Sequence, residues 1–153
     1  MTELLDTCAR DLMDTAPKIM QSIRIEMRRG RGADLSIPQF RTMGFIQRYP
    51  DSSLSSLADH LGLTLPSTSK LVDGLVKQEL ISRQESTVDR RRLTLVLTPI
   101  GESIVNAARE GALANLTKIM SCLSNAELGT IHQAMELLYP LFVSQGKQQL
   151  VKK

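Results

Sequence analysis

Three arginines in a row, Arg90, Arg91 and Arg92, follow Asp89 in a segment that is otherwise short and polar. Guanidinium groups grip phosphate with two-pronged geometry and fit the narrow, electronegative minor groove of DNA. Some twenty residues earlier the run Pro66-Ser67-Thr68-Ser69-Lys70 combines hydroxyls with a cation, and Lys77 follows it. Hydroxyls can bond to phosphates or base edges, and lysines can neutralise phosphates. Solvated helix and loop positions are the other reading of the same residues. Asp89 is acidic and is not expected to face phosphate. Its expected role is to pair with a neighbouring arginine and stabilise the tip.

The elements that must position these groups follow from periodicity. Leu54, Leu57, Ala58 and Leu61 recur at helical spacing, and Gly62 stands where a left-handed cap residue is commonly needed. Thr64 can cap a second helix that tolerates Pro66 in its first turn and buries Leu71, Val72, Leu75 and Val76. From Ile81 the period changes to two, and Leu93, Leu95 and Leu97 alternate with Thr94, Val96 and Thr98 as a strand with one buried face. Ser82–Ser86 can form the other arm of a hairpin, with the arginines at its tip. A helix, a turn, a second helix and a basic hairpin place one helix in a major groove and a finger beside it.

Flanking this unit are longer helical patterns. Leu5, Cys8, Leu12, Ile19, Ile23 and Met27 form a stripe interrupted by Pro17, which is expected to kink or split the helix. Ser36 and Gln39 form a capping box for a helix carrying Phe40 and Met43. Thr98-Pro99 starts a long helix, and Ser124 with Glu127 forms a second capping box before a last helix containing Pro140. The expected fold is therefore mainly α with a small β hairpin. One domain spans 1–153: flanking helices at 1–34 and 124–153, a winged helix–turn–helix at 35–98 and a long connecting helix at 99–123.

Composition narrows the function. The 153 residues are 42% hydrophobic and 23% charged, as in an ordinary globular protein, and a formal net charge of +3 permits a polyanionic partner. Aromatics are 3% with no Trp, which disfavours base stacking on single strands. Basic residues cluster at Arg28, Arg29 and Arg31 as well as at the hairpin tip. No Ser/His/Asp set, paired carboxylates or phosphate-cradling glycine loop is evident, so the chain does not read as an enzyme. His60 and His132 lack neighbours at ligand spacing, and neither a metal nor another cofactor is expected. No signal pattern or membrane-length apolar run is present, and a reducing cytoplasm is the expected compartment.

Taken together, the segment from about Leu35 to Gly101 resembles the multiple-antibiotic-resistance regulator (MarR) family. The residues that carry the likeness are Leu57-Ala58, Leu61-Gly62, Ser67-Thr68-Ser69-Lys70-Leu71-Val72, Leu75, Leu80-Ile81, Asp89-Arg90-Arg91 and Leu97-Thr98 with Gly101. Each is unspecific alone, and their order and spacing carry the weight. The resemblance implies a homodimer joined through the terminal helices, bound to a pseudo-palindromic operator on double-stranded DNA. It further implies a repressor released by a small, often aromatic or anionic, ligand held in a crevice drawing on Arg24, Phe40 and Met43. Activation would use the same docking. Relatives that sense hydroperoxide carry a reactive thiol where Cys8 lies, but acidic Asp6 and Asp11 blunt that reading and favour a buried structural cysteine. A winged helix used only for protein–protein assembly is a third possibility, and it has no need of the arginine tip. One departure stands out: Glu79 occupies the position before Leu80-Ile81 where the family usually has glycine, so the helix must end differently there or tolerate strain.

Overall fold

The structure is a computed structural model that describes residues 2–30 and 34–151, with side chains described for 3–30 and 34–142. Six helices and one hairpin follow in the order α1 (Thr2–Gly30), α2 (Ile37–Arg48), α3 (Leu54–Leu61), α4 (Leu65–Lys77), β1 (Ile81–Glu85), β2 (Leu93–Leu97), α5 (Pro99–Met120) and α6 (Asn125–Val151). Two compact units result, Met1–Leu116 and Thr117–Lys153. The first contains the helix–turn–helix and the hairpin.

Local chemistry accounts for most boundaries. Ser36 caps α2 by accepting from the Gln39 N–H, while the Gln39 side chain accepts from the Ser36 N–H. Ser53 and Thr64 cap α3 and α4 in the same way, through the N–H groups of Ser56 and Ser67. Gly62 closes α3 with φ 69, a left-handed conformation that glycine adopts at little cost. Pro17, expected to kink or split its helix, does not split it, and Pro140 likewise lies inside one helix. A helix can lose the hydrogen bond that proline lacks and continue, if it is long enough to be held on both sides.

The core of the first unit gathers Leu35 with Phe40, Met43 and Ile46 of α2, Leu75 of α4, Leu80 and Ile81 at the start of β1, and Val105 and Ala108 of α5. Burying one such side chain stabilises the fold by about 1.5–3 kcal/mol. A second cluster of Phe45, Leu57 and Val72 joins α2, α3 and α4. Gly30 permits the end of α1 to cross α5, because a Cβ there would lie 2.6 Å from the Ala108 Cα.

The hairpin pairs antiparallel, with Ile81 opposite Leu97 and Glu85 opposite Leu93. Its burial departs from the expected alternation. Leu95 and Leu97 pack against the core, whereas Leu93 is 70% exposed and Thr94 is buried. Leu93 pairs with Glu85 at the tip end of the ribbon, away from the core that Leu95 and Leu97 reach.

Glu79 resolves the question its sequence position raised. Helix α4 ends in a Schellman motif: the Leu80 N–H donates to the Leu75 carbonyl and the Glu79 N–H to the Val76 carbonyl. That motif needs a left-handed residue after the cap, and Glu79 supplies it with φ 57. An L-residue in this region costs about 1–2 kcal/mol. Replacing Glu79 by Gly should therefore raise the unfolding free energy by about 1 kcal/mol in urea titration. A variant no more stable than the parent would show that the strain is absent.

Candidate nucleic-acid interface

The outward face of α4 is set by which of its residues the core takes. Thr68, Val72 and Leu75 point inward, leaving Pro66, Ser67, Lys70, Asp73 and Lys77 exposed and Ser69 half-buried. Thr68 was expected among the DNA-contacting residues and does not belong there. It is fully buried, and its hydroxyl donates to the Thr64 carbonyl one turn back. Ser67 remains exposed, but its hydroxyl accepts from the Thr64 hydroxyl at 2.9 Å as part of the cap.

The wing tip is an ordered turn. Ser86 Oγ accepts from the N–H groups of Val88 and Asp89, and the Ser86 N–H donates to the Arg92 carbonyl. Asp89 Oδ1 accepts from the Arg91 N–H at 3.0 Å, and the Asp89 carbonyl accepts from the Arg92 N–H. Asp89 thus fixes the tip through the backbone and not through a guanidinium, as an aspartate does in a tight turn. Arg90, Arg91 and Arg92 all stay exposed. Among the described residues, none of the three forms an ion pair.

Two cross-links tie the wing to the helices, and neither was visible in the sequence. Arg83 of β1 pairs with Asp73 of α4. At the far end, Thr87 donates to Asp51 Oδ2 at 3.0 Å, joining the wing to the turn between α2 and α3. Asp51 itself takes a positive φ of 60. Position in a helix pattern gave no warning of either, because both partners come from elements distant in the chain.

The expected ligand crevice is corrected in part. Phe40 and Met43 are core residues, Met43 fully buried. Arg24 is exposed on α1, and Arg31 lies outside the described residues. Cys8 and Cys122 are free thiols, both exposed, where a buried Cys8 was expected. Leu4 and Leu5, near Cys8 on α1, are exposed as well. No group of three or more His, Cys, Asp or Glu could hold a metal among the described residues. No helix among them is long and apolar enough to cross a membrane.

His60 packs its ring on Phe45, with centroids 4.8 Å apart, and its carbonyl accepts from Arg41. Burial, then the charges of Arg41 and Arg48, lower its pKa from 6.5.

A helix–turn–helix with an arginine-tipped hairpin docked beside its second helix defines the class: this is a winged helix. Residues 33–92 match the model described as MarR family. The uncharacterized HTH-type transcriptional regulator YfiV of Bacillus subtilis is 26% identical over 69% of this chain, and the match spans 66% of that relative's length. In fold, the chain is similar to a MarR family protein from Bacillus stearothermophilus, with TM-score 0.70, 17% identity and coverage of 94% and 98% of the two chains. It is also similar to Streptococcus pneumoniae FabT in complex with DNA, with TM-score 0.56, 23% identity and coverage of 95% and 99%. Over residues 33–92 the chain is thus similar to the MarR family of winged-helix transcription regulators.

Because the folded state favours the neutral His60 ring, its stabilising contribution is complete above pH 6.5 and declines as pH falls toward the lowered pKa. The melting temperature of the parent should therefore drop more between pH 7.5 and pH 5 than that of a His60→Asn variant. Equal drops would contradict the assigned environment.

Proposed function

We propose that this regulator is a homodimer that binds a pseudo-palindromic operator on double-stranded DNA and acts as a repressor in the cytoplasm. The observation that carries this reading is the pairing of exposed groups on the first turns of α4 with an ordered, exposed arginine tip, in a fold where the Asp73–Arg83 pair links α4 to the wing. On it, Pro66, Ser67, Ser69, Lys70 and Lys77 meet the major groove, while Arg90, Arg91 and Arg92 meet the adjacent backbone and minor groove. Asp89 holds the tip. The pneumococcal relative with this fold was crystallised with DNA, which supports the same docking.

Dimerisation is supported by apolar residues that each unit leaves exposed. On α1 these are Leu4, Leu5, Met13 and Ile19, and on α6 they are Met135, Leu137, Leu141 and Phe142. Exposed apolar residues in such numbers mark an association surface. By twofold symmetry, the two α4 helices would then address half-sites about one helical turn apart. Release by a small aromatic or anionic ligand is part of the proposal, with exposed Arg24 available to a carboxylate.

The test is selection of duplexes from a random pool by the full-length protein, followed by titration at several salt concentrations. An enriched duplex bound far more tightly than random DNA, with a steep salt slope, is expected. Equal affinity for both would refute the proposal. Arg91→Ala should weaken binding and flatten the slope by about one unit, and an unchanged slope would remove the tip from the interface.

A further inference from the structure

The first turn of α4 reads as hydroxyl-rich in sequence, yet the fold uses up most of that polarity. Thr64 Oγ1 accepts from the Ser67 N–H and donates to Ser67 Oγ, and the Thr68 hydroxyl is buried on the Thr64 carbonyl. What remains facing outward at this end is largely apolar. Leu65 is 49% exposed and Leu63, in the preceding turn, 39%. Pro66 is exposed and has no N–H to offer. None of the three belongs to either core cluster. An apolar patch on a helix start costs free energy in water unless something covers it.

Its surroundings say what could. Lys70 and Lys77 lie further along the same helix, and the arginine tip stands on the wing, so the patch sits on a surface suited to a polyanion. The one apolar group that a duplex displays in its major groove is the C5-methyl of thymine. Deepening the DNA-binding reading on which it rests, we infer that Leu65 and Pro66 form a thymine-reading subsite. Each half-site then carries a thymine whose methyl group packs against Leu65, with Pro66 closing the other side. Base discrimination at that position comes from apolar contact, while the Thr64 and Thr68 hydroxyls serve the cap and the first turn.

The experiment uses the full-length protein and the duplex it enriches from a random pool. Each thymine is replaced in turn by deoxyuridine, which removes only the methyl group. Affinity should fall about 4-fold at one position per half-site, the weight of one buried methylene. In Leu65→Ala the thymine-to-uridine ratio at that position should approach one, with the melting temperature and salt slope unchanged. Pro66→Ala should lower the ratio in the same direction. The inference is overturned if no uridine substitution weakens binding, or if Leu65→Ala keeps the full ratio. Failure to enrich any duplex would instead refute DNA recognition itself.

Discussion

Everything the wing does depends on one junction, where α4 ends, β1 begins, β2 ends and α5 starts. The Leu80 carbonyl accepts from the Thr98 N–H, and the Glu79 carbonyl accepts from the Thr98 hydroxyl at 2.6 Å. The same Thr98 hydroxyl then caps α5 by accepting from the Gly101 N–H. Gly101 lies so close to the Leu80 carbonyl that any Cβ would collide with it. Four elements are thereby fixed by a handful of backbone contacts, and Leu75, Leu80 and Ile81 are sealed beneath them. Glu79 shows how strongly the junction is determined, since it holds a left-handed backbone that glutamate disfavours.

From this anchor the surface acquires a division of labour. Charge sits on exposed side chains at the wing tip and along α4, where the proposed docking would use it for long-range, salt-sensitive attraction to phosphate. Shape sits on rigid backbone: the capped first turn of α4 and the turn of residues 86–92, closed by Ser86 and Asp89. The Asp73–Arg83 pair is exposed on both sides, so its worth to stability is small. Its geometric effect is larger, because it spends one acidic group of α4 on the wing and leaves the lysines of that helix unopposed. The Thr87–Asp51 bond holds the outer end in the same way.

Much of this was legible in the chain because the rules involved are local. Ser36 and Thr64 cap helices whatever surrounds them, and Gly62 marks a left-handed closure at the end of its helix, whereas the Ser53 cap and the left-handed backbone of Glu79 emerge only from the structure. The hairpin and its basic tip follow from a change of period. What failed needed knowledge of which side faces the core. Thr68 has the chemistry of a DNA contact but the angular position of a core residue. Phe40 and Met43 could equally line a crevice or fill a core, and packing with Leu75 and Val105 decides for the core. Leu93 continues the apolar alternation past the residues that reach the core. The Arg83–Asp73 and Thr87–Asp51 links join distant segments, and no periodicity reports them.

In the proposed docking, the start of α4 and the wing tip meet duplex DNA together. Amide hydrogen exchange of the full-length protein, with and without its selected duplex, tests this most directly. Slowed exchange confined to about residues 64–71 and 86–92, with α2 and α5 unchanged, is the predicted result. Protection of only one of the two segments, or of neither, would contradict it.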